Sequence, residues 1–470
     1  MMKRLETIIP KAETAFKVLY ILLVLLSFTN LMVGNPVLRY YTYALVLFGA
    51  VLLLYRAVHF KRFVRTRGLW ILVLFCGSIL LSAFLNRKYG LTESLQSFIW
   101  TTLQFGLLYA CDEKRDIQEY QREFCILAVV FSVYILLANI VSIGMFFAHY
   151  GVFGQYSFNE TIIGFVWGRL WGVYSDPNNG SVLCVASVVL SICAWAALKP
   201  KSNRGLKALL AVNIILDYFY IMLSDSRTGM VCALIGVACA LFLCLSTRDF
   251  QKEKLKPILK NTVCLIMAIV LSFVFYFGSQ LLKKGYNFTL EKVIEAKMQD
   301  PDASIDDSNL VLITGRDEAD TESDVSNRRF SLWKSGIEIW RTSPIFGVSQ
   351  RNITSYAKDV LPNTYLVNND LSDFDSTHNM FIDVLVSQGI VGILLIVAFF
   401  VSVAVLIIKR FLLIDKNRTN VYLIALISVL VVFACSCMFV LDVLYLNSAA
   451  TVLFWSALGY LTHSLQKDKN

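Results

Sequence analysis

Four short clusters hold the residues of this 470-residue chain whose types and spacing suit chemistry. They are Arg169-Leu-Trp-Gly-Val-Tyr-Ser-Asp176-Pro-Asn-Asn, Ser224-Asp225-Ser-Arg227-Thr-Gly, Arg328-Arg329 and Thr377-His378-Asn379. A guanidinium stays charged and binds phosphate through two parallel hydrogen bonds, so several Arg together can hold a pyrophosphate without a metal. A neutral His takes a proton near neutral pH. His378 ranks above His149 because Asn379, Gly389 and Gly392 follow it in a compact loop-to-helix entrance. Taken singly, each Arg also reads as a snorkelling or lipid-headgroup contact. A lone His reads as incidental. What sets the clusters apart is that the elements around them put all four on one side of a membrane.

The composition dictates that membrane. Hydrophobic residues make up 57% of the chain and charged ones 16%, with a mean hydropathy of +0.61, outside the range of water-soluble domains. The apolar residues fall in blocks of about twenty, enough to cross the bilayer core as helix. Twelve blocks are expected near 14–34, 38–56, 68–86, 93–111, 124–148, 178–198, 207–224, 228–246, 259–283, 380–408, 420–440 and 447–463. The expected fold is therefore an all-α polytopic membrane protein with about 12 transmembrane helices. Residues 1–283 carry helices one to nine, 284–378 form a large, partly helical extracytoplasmic loop, and 379–470 carry the last three helices. The first block reads as a retained helix rather than a removed signal peptide.

Charge sets the orientation. The termini and the loops 56–67, 112–123, 199–207, 247–260 and 409–418 hold 26 Lys and Arg, whereas the opposite short connections hold only Arg39, Arg87, Lys88, Arg169 and Arg227. Both termini are thus expected in the cytoplasm, with the four clusters outside. The same distribution explains the net charge of +9 without nucleic acid. The eleven Cys lie almost wholly in apolar blocks, with neither a disulfide framework nor metal-type spacing. No internal repeat, Walker or dinucleotide glycine pattern, or nucleophile elbow is present.

Within the large loop, residues 299–325 hold nine acidic residues against one Arg and no aromatic, and are expected to stay solvated and mobile. Phe330, Trp333, Ile337 and Trp340 then recur at helical spacing, with Ser326 or Asn327 as a cap and Pro344 as a stop. This amphipathic helix either lies on the outer membrane surface or packs against the bundle. Asp217, inside the seventh block, faces the outer cavity or pairs with a neighbouring helix.

The clusters also resemble a known family. Arg329-x-x-x-Trp333, Pro344-Ile-Phe-Gly347-Val, His378-Asn379-Met-Phe and Gly389-Ile-Val-Gly392 are similar to the signature of the O-antigen ligase/polymerase family, bacterial GT-C-type membrane glycosyltransferases. Ser226-Arg227-Thr-Gly and Asp176-Pro-Asn resemble its patterns before helices eight and six. Ser349 stands where the family often has a second Gly. The resemblance implies an inverting, metal- and cofactor-independent transfer in the cytoplasmic membrane. The donor is a glycan on undecaprenyl pyrophosphate and the acceptor a glycan hydroxyl. His378 would be the general base, and Arg227 and Arg329 would bind the pyrophosphate. Arg169, Arg328, Asn379 and Asp225 are further candidate substrate contacts. Polymerisation of repeat units for capsule, O-antigen or related surface polysaccharide is preferred, with a chain-length regulator as candidate partner. Ligation to another acceptor is the alternative, and a polysaccharide-lipid transporter or flippase is the reading from another class. A transporter would need ionisable groups near mid-membrane and broken helices in matching halves.

Overall fold

Local signals start many of the helices. Asn35 accepts a hydrogen bond from Val37 N and precedes Pro36 at the start of α2 (Pro36–Val58). Asp176 does the same for Asn178 N and Asn179 N before Pro177 at the start of α6 (Pro177–Ala197). A side chain that satisfies the first free N–H groups, followed by proline with its preset φ, is a strong helix start. In the computed structural model, which describes residues 2–156, 159–198, 203–246, 257–298, 314, 328–369, 373–412 and 420–467, such starts lead into a bundle of long apolar helices.

The remaining helices are α1 (Met2–Ser27), α3 (Leu69–Leu85), α4 (Leu91–Leu103, continued as a π-helix over Gln104–Tyr109), α5 (Ile117–Phe147), α7 (Arg204–Leu223), α8 (Arg227–Ser246), α9 (Pro257–Met298), α10 (Arg329–Thr342), α11 (Ile353–Val360), α12 (Met380–Ile407), α13 (Val421–Ser436) and α14 (Ala449–Lys467). All twelve expected blocks form helices. Among the described residues, seven helices (α2, α5 to α9 and α12) are long and apolar enough to cross a membrane, and α3 and α13 are shorter apolar helices. The chain is an all-α polytopic membrane protein.

Three features depart from expectation. The long connection after α5 is an antiparallel sheet of β1 (Gly151–Tyr156), β2 (Asn159–Val166) and β3 (Arg169–Gly172) in that order. The ninth helix does not stop at 283 but runs to Met298, so the start of the expected loop is helical. The thirteenth helix ends at Ser436, short of 440, and leaves a long irregular connection before α14. The acidic segment 299–325 and the expected caps Ser326 and Asn327 lie outside the described residues. The exception is Thr314, which exchanges hydrogen bonds with Asn287 of α9.

At the centre, α6 packs against α7, α8 and α13, and α13 against α8 and α14. Close approach uses small residues: a Cβ on Gly229 would sit 1.8 Å from Ser181 Oγ, and one on Gly236 2.4 Å from Val432 Cγ2. Small residues at helix crossings are how membrane bundles gain dispersion contact without a hydrophobic drive. At the end away from the four clusters, Glu13 and Lys17 of α1 form buried ion pairs with Arg56, Arg115 and Glu123. Two of the Lys and Arg counted in the basic loops therefore lock α1, α2 and α5 together.

The element that shapes the other end is α12, which is broken. Gly389 adopts φ 63° and ψ −158° inside it, a conformation open essentially to glycine alone. The segment 344–349 lies along the break: Val348 N bonds Val386 O (2.9 Å), Ser349 N bonds Ser387 O (2.9 Å) and Ile390 N bonds Pro344 O (2.9 Å). From α3, Ser78 and Ser82 bond Gln388 Oε1 and Ser387 O (2.6 and 2.7 Å). Asn86 bonds Gly347 O (3.0 Å). The backbone groups freed by the break are thus satisfied inside protein, the condition for irregular backbone at membrane depth. Ser349 holds φ 68°, a left-handed backbone that explains why glycine suits this position.

Candidate active site

Arg227 is the first residue of α8, placed there by Ser226, whose Oγ accepts a hydrogen bond from Gly229 N (3.0 Å). Arg329 is the first residue of α10. Its Nη2 donates to Thr228 Oγ1 on α8 (3.0 Å), and its guanidinium lies 5.5 Å from the centre of the Phe439 ring. A cavity of about 260 Å³ opens between them, lined by Arg227, Thr228, Val231, Arg329, Phe330, Trp333 and Phe439. The two Arg expected to share a ligand therefore line one cavity, 102 positions apart in sequence. Apart from Thr228, the remaining walls are aromatic or apolar.

The amphipathic helix takes its packing face one step round from the expected stripe. Leu332, Ser335, Gly336 and Ile339 are buried, and a Cβ on Gly336 would meet Thr377 Cγ2 at 2.7 Å and Ile382 Cγ2 at 2.8 Å. This glycine lets α10 press onto the start of α12. Phe330 is left exposed and forms an edge-on pair with Trp333 (5.4 Å) at the cavity. Of the two readings, packing against the bundle is the one observed.

His378 stands immediately before α12 with φ 54°, flanked by two anchors. Thr377 donates through its N–H (2.7 Å) and hydroxyl (3.0 Å) to Asp383 Oδ1, one turn into α12 and fully buried. Asn379 caps α12 by accepting from Phe381 N and Ile382 N, and its amide donates to Met438 O (3.2 Å). Among the described residues neither ring nitrogen of His378 has a hydrogen-bond partner. Burial, joined by the positive charge of Arg329, pushes its pKa below the usual 6.5, while Asp176 and Asp375 pull the other way. The imidazole is therefore neutral at pH 7 and carries a free lone pair.

The weaker candidates divide by what they touch. Arg169 braces the site from behind, donating to Ser224 O (2.8 Å) and Asn178 Oδ1 (3.1 Å). Asp225 is ion-paired with Lys283 of α9. Arg328, with φ 68°, immediately precedes α10 and is not among the residues lining the cavity. Asn379 is a helix cap. His149 is exposed at the end of α5, while His59 and His463 bond backbone carbonyls at the other end.

The connection between α13 and α14 supplies residues that the sequence reading passed over. Met380 N bonds Cys437 O (3.0 Å), which docks this connection against the start of α12 and brings Phe439 to the cavity. Asp442 is 3% exposed and accepts from Ser436 Oγ (2.7 Å). Burial, with Asp176 adding, pushes its pKa up to about 6. The available signal was a lone acidic residue between two apolar blocks.

Asp217 is fully buried and takes amide hydrogen bonds from Asn139 (2.7 Å) and Asn213 (3.0 Å), so it pairs with the neighbouring helix α5. Residues 209–397 match the family described as O-antigen ligase. That span contains Arg227, Arg329, His378 and Asn379, whereas Arg169, Asp176 and Asp442 fall outside it. No curated protein matches the chain.

Proposed function

We propose, for a chain whose residues 209–397 match the family described as O-antigen ligase, an inverting glycosyltransferase that polymerises lipid-linked oligosaccharide repeat units into a surface polysaccharide. The donor is a glycan on undecaprenyl pyrophosphate, presented at the outer face of the cytoplasmic membrane. The observation that carries this reading is the cavity shared by Arg227 and Arg329, the second of which is an electrostatic neighbour of His378. Two guanidinium groups suit a pyrophosphate, and Val231, Phe330, Trp333 and Phe439 suit the first prenyl units.

In this mechanism an acceptor hydroxyl attacks the anomeric carbon as the lipid pyrophosphate leaves. His378 accepts the hydroxyl proton, a task its neutral, unbonded ring is suited to. Arg227 and Arg329 bind the pyrophosphate and offset the charge that grows on it. Charge stabilisation of this kind, in a site partly shielded from water, is commonly the largest part of catalysis. Thr228 steadies the Arg329 guanidinium, and Phe439 covers its face. The family matched by residues 209–397 is described as a ligase, in which the same groups would move the glycan to a different acceptor. The described geometry serves either acceptor.

The test is transfer from purified lipid-linked repeat units. Arg227→Lys and Arg329→Lys keep the charge and lose the fork. Each is expected to lose transfer severely at normal protein level. His378→Gln keeps hydrogen bonding without basicity at neutral pH. It is expected to lose about 10²-fold or more in rate while still binding donor. Near wild-type transfer by all three variants would reject the assignment.

A further inference from the structure

A second cavity, of about 110 Å³, opens at the same end of the bundle. Ser27 and Phe28 at the end of α1, Asn179 in the first turn of α6, and Asp442, Asn447 and Ala450 around the start of α14 are among its lining residues. Its chemistry differs from that of the Arg cavity, because no Lys or Arg lines it. Asn179 Oδ1 is buried without a hydrogen-bond partner among the described residues. Asn447 uses its carbonyl for Tyr20 (2.8 Å) and Gln104 (3.2 Å), which leaves its amide NH₂ to donate. Asp442 uses one oxygen for Ser436 (2.7 Å), and its other oxygen has no protein donor among the described residues. Phe28 and Ala450 give the cavity an apolar side.

Two free acceptors, a free donor and a hydrocarbon wall, without a cation, match an uncharged polyhydroxylated ring. Sugar hydroxyls both donate and accept, and a pyranose presents a C–H face to apolar surface. A lipid tail would leave the Asn179 oxygen buried and unpaired, at a cost of roughly 1–3 kcal/mol. A phosphate would meet a carboxylate and find no positive charge. The size fits as well: drug-sized ligands need about 300 Å³ or more, so this space takes part of a single ring.

Its position relates it to the reaction. Asp176, which caps α6 through Asn178 N and Asn179 N (3.2 and 3.0 Å), is an electrostatic neighbour of both His378 and Asp442. His378 thus has the Arg329 charge among its neighbours and, through Asp176, the carboxylate cavity. We infer that the cavity of Asn179, Asp442 and Asn447 is a saccharide subsite, which holds a sugar ring of the glycan next to the reacting hydroxyl. This inference rests on the transferase reading above.

Two ligands separate the two readings in the full-length protein in detergent. The first is farnesyl pyrophosphate, which probes the Arg cavity. The second is a lipid-free oligosaccharide released by mild acid from the source cell's own surface polysaccharide, followed by saturation-transfer NMR. Wild type is expected to bind both. Ala450→Leu fills the second cavity, and Asn179→Ala removes its free acceptor; each is expected to weaken oligosaccharide binding about tenfold or more, equivalent to about 1.4 kcal/mol. Both should leave farnesyl pyrophosphate binding within about twofold. The Asn179 side chain forms no hydrogen bond that its truncation would break, so that variant decides the matter if Ala450→Leu fails to fold. Oligosaccharide binding that is absent in wild type, or unchanged in both variants, overturns the subsite. Farnesyl pyrophosphate binding that ignores Arg227→Lys and Arg329→Lys overturns the transferase reading instead.

Discussion

Replacing Gly389 with Ala tests whether the break in α12 holds the site together. The backbone there has φ 63° and ψ −158°, so a side chain costs about 1–3 kcal/mol from conformation alone. The new Cβ would also lie 2.3 Å from the carbonyl carbon and oxygen of Ile345 and 2.7 Å from Phe346 N. Backbone cannot swing aside as a flexible side chain does, so the segment 344–346 must lift. Lifting breaks Ile390 N to Pro344 O (2.9 Å) and weakens Val391 N to Ile345 O (3.3 Å), each about 0.5–1.5 kcal/mol. The sum is about 4 kcal/mol, in the range reached only by named structural faults. Gly77 on α3 is the control. Nothing lies within 4 Å of a Cβ built there, and Ala in a helix interior gains about 0.5–1 kcal/mol over Gly. Thermal unfolding in detergent, followed by tryptophan fluorescence, should show Gly389→Ala melting well below wild type and Gly77→Ala at or above it. Transfer should fall with Gly389→Ala, because the lifted segment follows α10 directly and α10 carries Arg329. A Gly389→Ala protein that melts and transfers like wild type would refute the reasoning.

On the proposed mechanism, the depressed pKa of His378 sets the acid limit of the reaction. Only neutral imidazole accepts a proton, so kcat/KM should fall with a midpoint below 6.5, and Arg329→Gln should move that midpoint upward by removing a positive neighbour; a midpoint unmoved in the variant would contradict the proximity. Bound pyrophosphate adds negative charge, so the limb in kcat should lie at higher pH than the limb in kcat/KM. Asp217→Ala should lower the melting temperature by stranding two buried amides, roughly 1–3 kcal/mol each, while transfer per folded molecule stays near normal; lost transfer at full stability would restore a functional role to this residue. Asp383→Ala should lower kcat at unchanged donor affinity by releasing Thr377 and with it His378, whereas Asp383→Asn keeps an oxygen for both Thr377 donors and should restore most of the rate; equal kcat in all three proteins would remove Asp383 as a positioning residue.

What was legible in the sequence was what residue type and period determine. Apolar length marked the helices, and Asp176-Pro and Asn379 stood before two of them, where the structure shows both side chains capping the helix start. Arg and His stood out as candidates because few side chains can hold phosphate or move a proton, and the structure brings Arg227 and Arg329 into one cavity. Helix length was hidden where polarity changes but propensity does not. Lys283, Lys284 and Lys292 end the apolar run of α9 while leaving it free to remain helical to Met298. The face of α10 was hidden for a different reason. An apolar stripe at 330, 333, 337 and 340 predicts burial, but the absence of a side chain at Gly336 decides which face meets α12. Phe439 and Asp442 sit in a connection whose backbone docks on the start of α12, a contact across some sixty residues that no local pattern records.

Asp225, Arg328 and His378 share left-handed backbone, with φ 48°, 68° and 54°, which costs a residue bearing a side chain about 1–2 kcal/mol. Each is a site residue or stands within two positions of one. Such conformations persist only where surrounding structure overrides them, and the restraints are identifiable. Asp225 is held by Lys283 from α9. Arg328 is held by the first turn of α10, through Leu332 N to its carbonyl (3.1 Å). His378 is held between the Thr377–Asp383 pair and the Asn379 cap. Three helices that meet nowhere in sequence therefore fix the two guanidinium groups and the imidazole through backbone that would otherwise relax. On the proposed mechanism, a site held this way reorganises little when the donor arrives, and its binding energy goes to the charge on the departing pyrophosphate instead.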